Sequence, residues 1–382
     1  NIVGNYSSIK KMKTPEVGVI SFWANNNINF NDRLYVKSSE GDDVYFKAKN
    51  IEIGNSGVIE SGGNIFSDSV ENTILDGLVN ISAANINIQS GGNIEIKGTN
   101  VFAKNGDLNL KTIKDNGRIF VDGASLNSYG DKVLHAKNDI NLVGAGDIYV
   151  SNIGIDDYGR MGSGVNLYSK KKILWDVRNS NNSSLSGVFN VIDADEVLLT
   201  GGSVNADQGV NIQGKDVTIN GEVKSSSGGI NIYSRGGGFV GVNNSYIHSL
   251  SDVKVNNNKG NINFFNSKVV SDVGFVSSVA DGDISINNVD IIDGQKGVVI
   301  GTLADGKITS TKSFINSFGG GIRFESGGDI DFNGVKFFSN DNIEIFSNLN
   351  LYLSEINSNS LGHTAISSNS NIFYNSSADQ NN

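Results

Sequence analysis

The stretch from Gly260 to Asp281 reads GNINFFNSKVVSDVGFVSSVAD. It is followed at Gly282 by GDISINNVDIIDGQKGVVIGTLAD, at Gly306 by GKITSTKSFINSFGGGIRFESG and at Gly328 by GDIDFNGVKFFSNDNIEIFSNL. The starts lie 22, 24 and 22 residues apart. Each unit opens on Gly or an Asn-Asp turn and continues into an alternating triplet such as Ile262-Asn263-Phe264 or Ile284-Ser285-Ile286. A short apolar patch follows, such as Val289 with Ile291, and a second alternating segment such as Ile343-Glu344-Ile345 closes the unit. Alternation with period two is the mark of a half-buried strand. Strands this short are unstable alone; stacking similar coils pairs their backbones and encloses a continuous apolar interior. The repeat therefore predicts an all-β chain, a right-handed parallel β-helix (solenoid) with coils of about 22 residues.

The frame runs forward to Asn350 and Asn371, and backward through Gly238, Asp216 and Ala194 to Lys172. Residues 172–382 are thus expected to form a regular β-helix. Residues 41–171 carry the same phrases (Ile86-Asn87-Ile88, Leu108-Asn109-Leu110, Ile140-Asn141-Leu142) at uneven spacing, which predicts a less regular β-helix with loops. Residues 1–40 fit the frame poorly and are expected as an irregular cap or first coils. The stretches 153–164 and 179–186 are candidates for protruding loops, and a binding function is expected where the repeat breaks, around residues 153–186.

Composition agrees with a thin shared core. The chain has 382 residues with 38% hydrophobic residues, Gly 47 and Pro 1. Central strands need their N–H groups for pairing, so scarce proline fits. The absence of cysteine excludes a disulfide scaffold, thiolate metal sites and a cysteine nucleophile, without fixing a compartment. A formal charge of −10 disfavours nucleic acid as a partner. No run of apolar residues is long enough for a membrane-spanning helix. The chain begins Asn1-Ile2-Val3-Gly4, which suggests a region excised from a larger protein.

Chemistry-bearing motifs are few. Asp156-Asp157 and Asp42-Asp43 are the nearest carboxylate pairs, and adjacent acids in a turn are usually solvated. Arg33, Arg118, Arg160, Arg178, Arg235 and Arg323 do not cluster in sequence, and His135, His248 and His363 have no metal-ligand spacing. No enzyme activity, cofactor or metal is expected. Alternation points Tyr149, Tyr168, Tyr233 and Tyr352 outward and Trp175 inward. Outward tyrosines beside polar groups suit carbohydrate, whose ring faces stack on aromatic faces. Asp156, Asp157, Tyr158, Arg160, Tyr168 and Arg178 are the candidate glycan contacts. Asn-x-Ser/Thr sequons stand at Asn5, Asn80, Asn181, Asn182, Asn243 and Asn375.

The phrases GGNIEIKGTNVFAKNGDLNLKT (Gly91 to Thr112) and GDISINNVDI resemble the repeats of filamentous-haemagglutinin-type exoproteins of two-partner secretion. The resemblance covers the chain from about Asn85 onward. It implies a β-helical shaft exported through an outer-membrane transporter to the bacterial surface or medium. It also implies that the six sequons are candidate glycosylation sites. Two features depart from the family. Its secretion domain carries Asn-Pro-Asn-Gly, whereas the single proline here is Pro15 in Thr14-Pro15-Glu16. Val70-Glu71-Asn72-Thr73 approaches the Val-Glu-Asn-Asn boundary of toxin-delivering members but lies inside the repeat array. The expectation is a monomeric adhesin region that binds host-cell glycans or glycoproteins. The alternatives are a purely structural shaft, the receptor-binding segment of a contact-dependent growth inhibition effector and, last, a polysaccharide-degrading enzyme.

Overall fold

The computed structural model describes residues 2–10, 18–123, 133–136, 139–151, 154–157, 164–176, 183–185 and 187–375; for 2–10, 133, 135–136, 154–157 and 183–185 it describes the backbone alone. These residues form strands, turns and bends, with no helix among them. The chain divides into two compact units, one of residues 1–195 with 200–206, the other of 196–199 with 207–382. Each is a parallel β-solenoid, as the repeat predicts.

In the second unit a coil contributes three short strands. Ile262–Phe265, Lys268–Ser271 and Val276–Ala280 pair in parallel with Ile284–Asn287, Asp290–Asp293 and Val298–Thr302 of the next coil. Identical register puts like residues above like. Ile262, Ile284, Ile308, Ile330 and Leu351 form one buried column. Asn263, Ser285, Thr309 and Asp331, one residue on, keep contact with solvent. Burying each such aliphatic side chain contributes about 2 kcal/mol, and only a neighbouring coil can cover it. Phe324, Phe332 and Phe337 fill a wider part of the interior, with centroids 5.0–5.6 Å apart.

Two polar columns mark the corners of this unit. Ser249, Ser271, Asp293, Ser317 and Ser339 are stacked in register and buried. The Ser249 and Ser271 hydroxyls donate to the carbonyls of Gly228 and Ser251, which satisfies backbone groups that the turns leave unpaired. The second column is conformational. Asn244, Asn266, Asn288, Lys312, Gly334 and Glu355 all hold φ between 46° and 66°. Asparagine and glycine tolerate this left-handed region best, which explains why the column is rich in them.

The first unit follows the same rule with more variable coils. Of residues 1–40, Val19–Trp23 pairs with Asp43–Ile53, and Asn27–Glu40 pairs with both Asp43–Ile53 and Ser56–Gly62. Leu108 lies in register with Ile140, 32 residues away, so that coil carries extra residues between its strands. The outer face is laddered. Asn109 donates to Asn87, Asn141 to Asn109, Asn166 to Asn141 and Asn190 to Asn166, at 2.8–2.9 Å. Inside, Trp175 is 1% exposed and meets Phe189 edge-on at 5.0 Å, in the inward place its alternation with Ile173 predicts.

Candidate functional site

Among the described residues, three strands of the first unit carry a well-formed candidate site. Ile94–Lys97, Ile119–Asp122 and Ile148–Ser151 are stacked in parallel. Ile94, Ile96, Ile119, Val121, Ile148 and Val150 all point inward and are buried. The alternation therefore turns Glu95, Phe120 and Tyr149 outward in one column, with Lys97 beside it. The preceding turns are tied together through a side chain: the Arg118 N–H donates to the Asn93 side-chain carbonyl at 3.0 Å. The result is an open cleft of about 380 Å³ lined by Asn93, Glu95, Lys97, Arg118, Phe120 and Tyr149.

Its polar groups are tied to one another. The Tyr149 hydroxyl donates to the Asp147 carboxylate at 3.1 Å, and Arg118 Nε lies 3.4 Å from the same carboxylate. Lys97 Nζ bonds Glu95 at 2.8 Å and lies 5.6 Å above the Phe120 ring. The rings of Phe120 and Tyr149 are 6.4 Å apart and inclined at 49°. Burial first, and then the bond to Asp147, push the Tyr149 phenol above its ordinary range, so it stays a hydrogen-bond donor. The bond to Glu95 raises the Lys97 ammonium in the same way and keeps it charged. The cleft thus presents aromatic surface beside fixed hydrogen-bonding groups, the combination that holds sugar rings.

A second, shallower groove of about 490 Å³ lies in the other unit, along the corner that holds Asn244, Asn266 and Asn288. Tyr246 stands within it, with Lys224 and Lys268 at 5.4 and 6.0 Å from its ring centroid. Its walls are mainly asparagine and serine, and only one ring faces it.

The residues expected around 153–186 are not those of the cleft. Tyr168 does point outward, between buried Leu167 and Ser169, in register with Val143 and Ile192, but it does not line the cleft. The backbone of Asp156 and Asp157 lies in a strand, in register with His135 and Ala136. Tyr158, Arg160 and Arg178 lie outside the described residues. Among the sequons, Asn181 and Asn182 also lie outside them, and Asn5 is described by its backbone alone. Asn80 is exposed and accepts from the Asn100 amide at 2.9 Å. Asn375 is exposed at the end of its strand. Asn243 differs: the hydroxyl of its sequon serine, Ser245, is buried within hydrogen-bond distance of the carbonyls of Ile219 and Asn243.

Tyr149 was legible as an outward ring. Its partners were not, because they come from strands 25 and 29 residues apart, outside the regular frame. The shared phrases Ile-Glu-Ile-Lys, Ile-Phe-Val-Asp and Ile-Tyr-Val-Ser, at 94, 119 and 148, are the signal that aligns them. Among the described residues no group of three His, Asp or Glu side chains could hold a metal ion, and no helix is long and apolar enough to cross a membrane. A scan against protein-family models, a search of curated proteins and a search of solved structures each return no match.

Proposed function

We propose that this chain is the glycan-binding region of a bacterial adhesin, displayed on a β-helical shaft at the cell surface or in the medium. The observation that carries the reading is the cleft of the first unit, in which Phe120 and Tyr149 lie beside Asn93, Glu95, Lys97 and Arg118. Such clefts bind sugars by stacking the apolar face of the ring and fixing its hydroxyls with oriented polar groups. The cellular setting rests on the resemblance of the repeat to filamentous-haemagglutinin-type exoproteins. That resemblance also supplies the proposed partners, a host-cell glycan or glycoprotein and, during export, an outer-membrane transporter. A glycan array and an epithelial-cell binding assay test the reading. The wild-type chain is expected to retain a defined set of glycans, and the Phe120→Ala/Tyr149→Ala double variant to lose them with its fold intact by circular dichroism. Absence of binding to any glycan or cell by the wild type would leave the chain as a structural shaft.

A further inference from the structure

We infer that the Phe120–Tyr149 cleft selects uncharged pyranoses, such as hexoses and N-acetylhexosamines, over sugars that carry a carboxylate. The inference rests on the glycan-binding reading above and names the class of sugar that the same cleft takes. Its basis is the pairing of charges around the rings.

Both cations that line the cleft are already committed. Lys97 is held by Glu95 at 2.8 Å and Arg118 by Asp147 at 3.4 Å. Among the described residues the surroundings do not add a free positive charge. Asp76 and Asp122 act on Lys97 from its flank, and Lys172 acts on Tyr149, so three cations face four carboxylates. A sialic or uronic acid that approached either cation would bring its carboxylate against Glu95 or Asp147, which already lies beside it. Like charges brought together at a binding surface oppose association.

An uncharged sugar meets no such obstacle. A carboxylate that accepts one bond keeps further lone pairs, and a guanidinium paired through Nε keeps its terminal N–H groups. Arg118, with its side chain 63% exposed, presents those donors to solvent. Hydroxyl groups both donate and accept, so adjacent sugar hydroxyls can bridge such a pair without breaking it. Hydrogen bonds to ionised groups are also about twice as strong as neutral ones. Lys97 lies over the Phe120 ring, which assigns the stacking face to Tyr149.

Calorimetric titration with N-acetyllactosamine and with its sialylated form, at low and at high salt, tests the inference. The uncharged sugar is expected to bind at least tenfold tighter than the sialylated one, with an affinity that salt leaves unchanged. The Glu95→Gln/Asp147→Asn variant frees both cations and is expected to narrow or reverse the preference. Equal or tighter binding of the sialylated form by the wild type overturns the inference and leaves the glycan-binding reading standing. A wild type that binds neither these two sugars nor any glycan on the array overturns both. All the substituted side chains point outward from the strands or stand in a turn, and the wild-type comparison alone decides the point.

Discussion

Asn166 donates its side-chain amide to the Asn141 carbonyl at 2.9 Å, one coil apart on the outer face of the first unit. Asn141 in turn donates to Asn109 at 2.8 Å, so it both gives and accepts within the ladder. Removing it breaks two bonds, whereas removing Asn87 breaks one. These amides are half-buried, and water replaces part of what is lost. Asn141→Ala is therefore expected to cost about 1 kcal/mol, and Asn87→Ala about half that. Solenoid coils unfold with their neighbours, so hydrogen exchange at the Leu110 and Leu142 amides is the appropriate measurement. Equal effects of the two substitutions would mean that the ladder adds nothing to the strand pairing beneath it.

Asp293 occupies the place that serine fills in the coils on either side of it. It is fully buried; one carboxyl oxygen accepts from the Gly297 N–H at 2.6 Å and from the Ser317 hydroxyl at 2.9 Å, while the other has no partner. Burial pushes its pKa above the ordinary 3.8, against the opposing pull of those hydrogen bonds. Between the two values the native state holds a proton that the unfolded chain has released. Its contribution to stability is thus fully present below pH 3.8 and declines as pH rises through the native value. Asp293→Ser restores the serine column and removes that decline. Denaturation of both proteins across a pH series should show the variant gaining on the wild type as pH rises and then levelling off. The comparison isolates Asp293 from Glu60 and Glu71, whose carboxyls are held low by Lys37 and Lys49 and titrate in the opposite sense. A difference independent of pH would show that Asp293 ionises as it does in the unfolded chain.

Trp175 combines a large buried ring with an indole N–H that has no hydrogen-bond partner. Truncation and conservative replacement should therefore diverge. Trp175→Ala opens a cavity beside Phe189 and is expected to cost about 3–5 kcal/mol. Trp175→Phe keeps most of the apolar contact and removes an unsatisfied donor, so its cost is expected to stay below about 1.5 kcal/mol. Chemical denaturation of the two variants checks this, and similar losses in both would show that the indole nitrogen is solvated in the native state.

The fold was legible because inward positions alternate without interruption. Ile284-Ser285-Ile286 and Ile330-Asp331-Phe332 identify buried and exposed faces with no knowledge of their neighbours. The cleft was not, because it depends on register rather than alternation. Phe120 and Tyr149 come together only once the 29-residue offset between their strands is known, and composition does not give that offset. Asp293 shows a different limit. An aspartate in a sequence rich in Asn, Asp and Gly turns reads as solvated, and only the stacking of Ser271 and Ser317 on either side shows that it is enclosed.

The left-handed column of the second unit has a replaceable member. Asn266 donates to Asn244 and Asn288 to Asn266, but the next residue in the column is Lys312, with φ 49°, and the amide ladder stops there. A lysine in this region carries a steric cost between its Cβ and the backbone of about 1–2 kcal/mol, which asparagine partly avoids through local hydrogen bonding. Lys312→Asn is expected to stabilise the coil by about 1 kcal/mol, by easing that conformation and offering an amide to the Asn288 carbonyl. Lys312→Gly separates the two contributions. Glycine removes the steric cost, as at Gly334 one coil on, but extends no ladder and gives the unfolded chain more freedom to lose. Asparagine is therefore expected to exceed glycine when hydrogen exchange is read at Ile286 and Ser310. Glycine performing as well as asparagine would assign the whole effect to the backbone and none to the ladder.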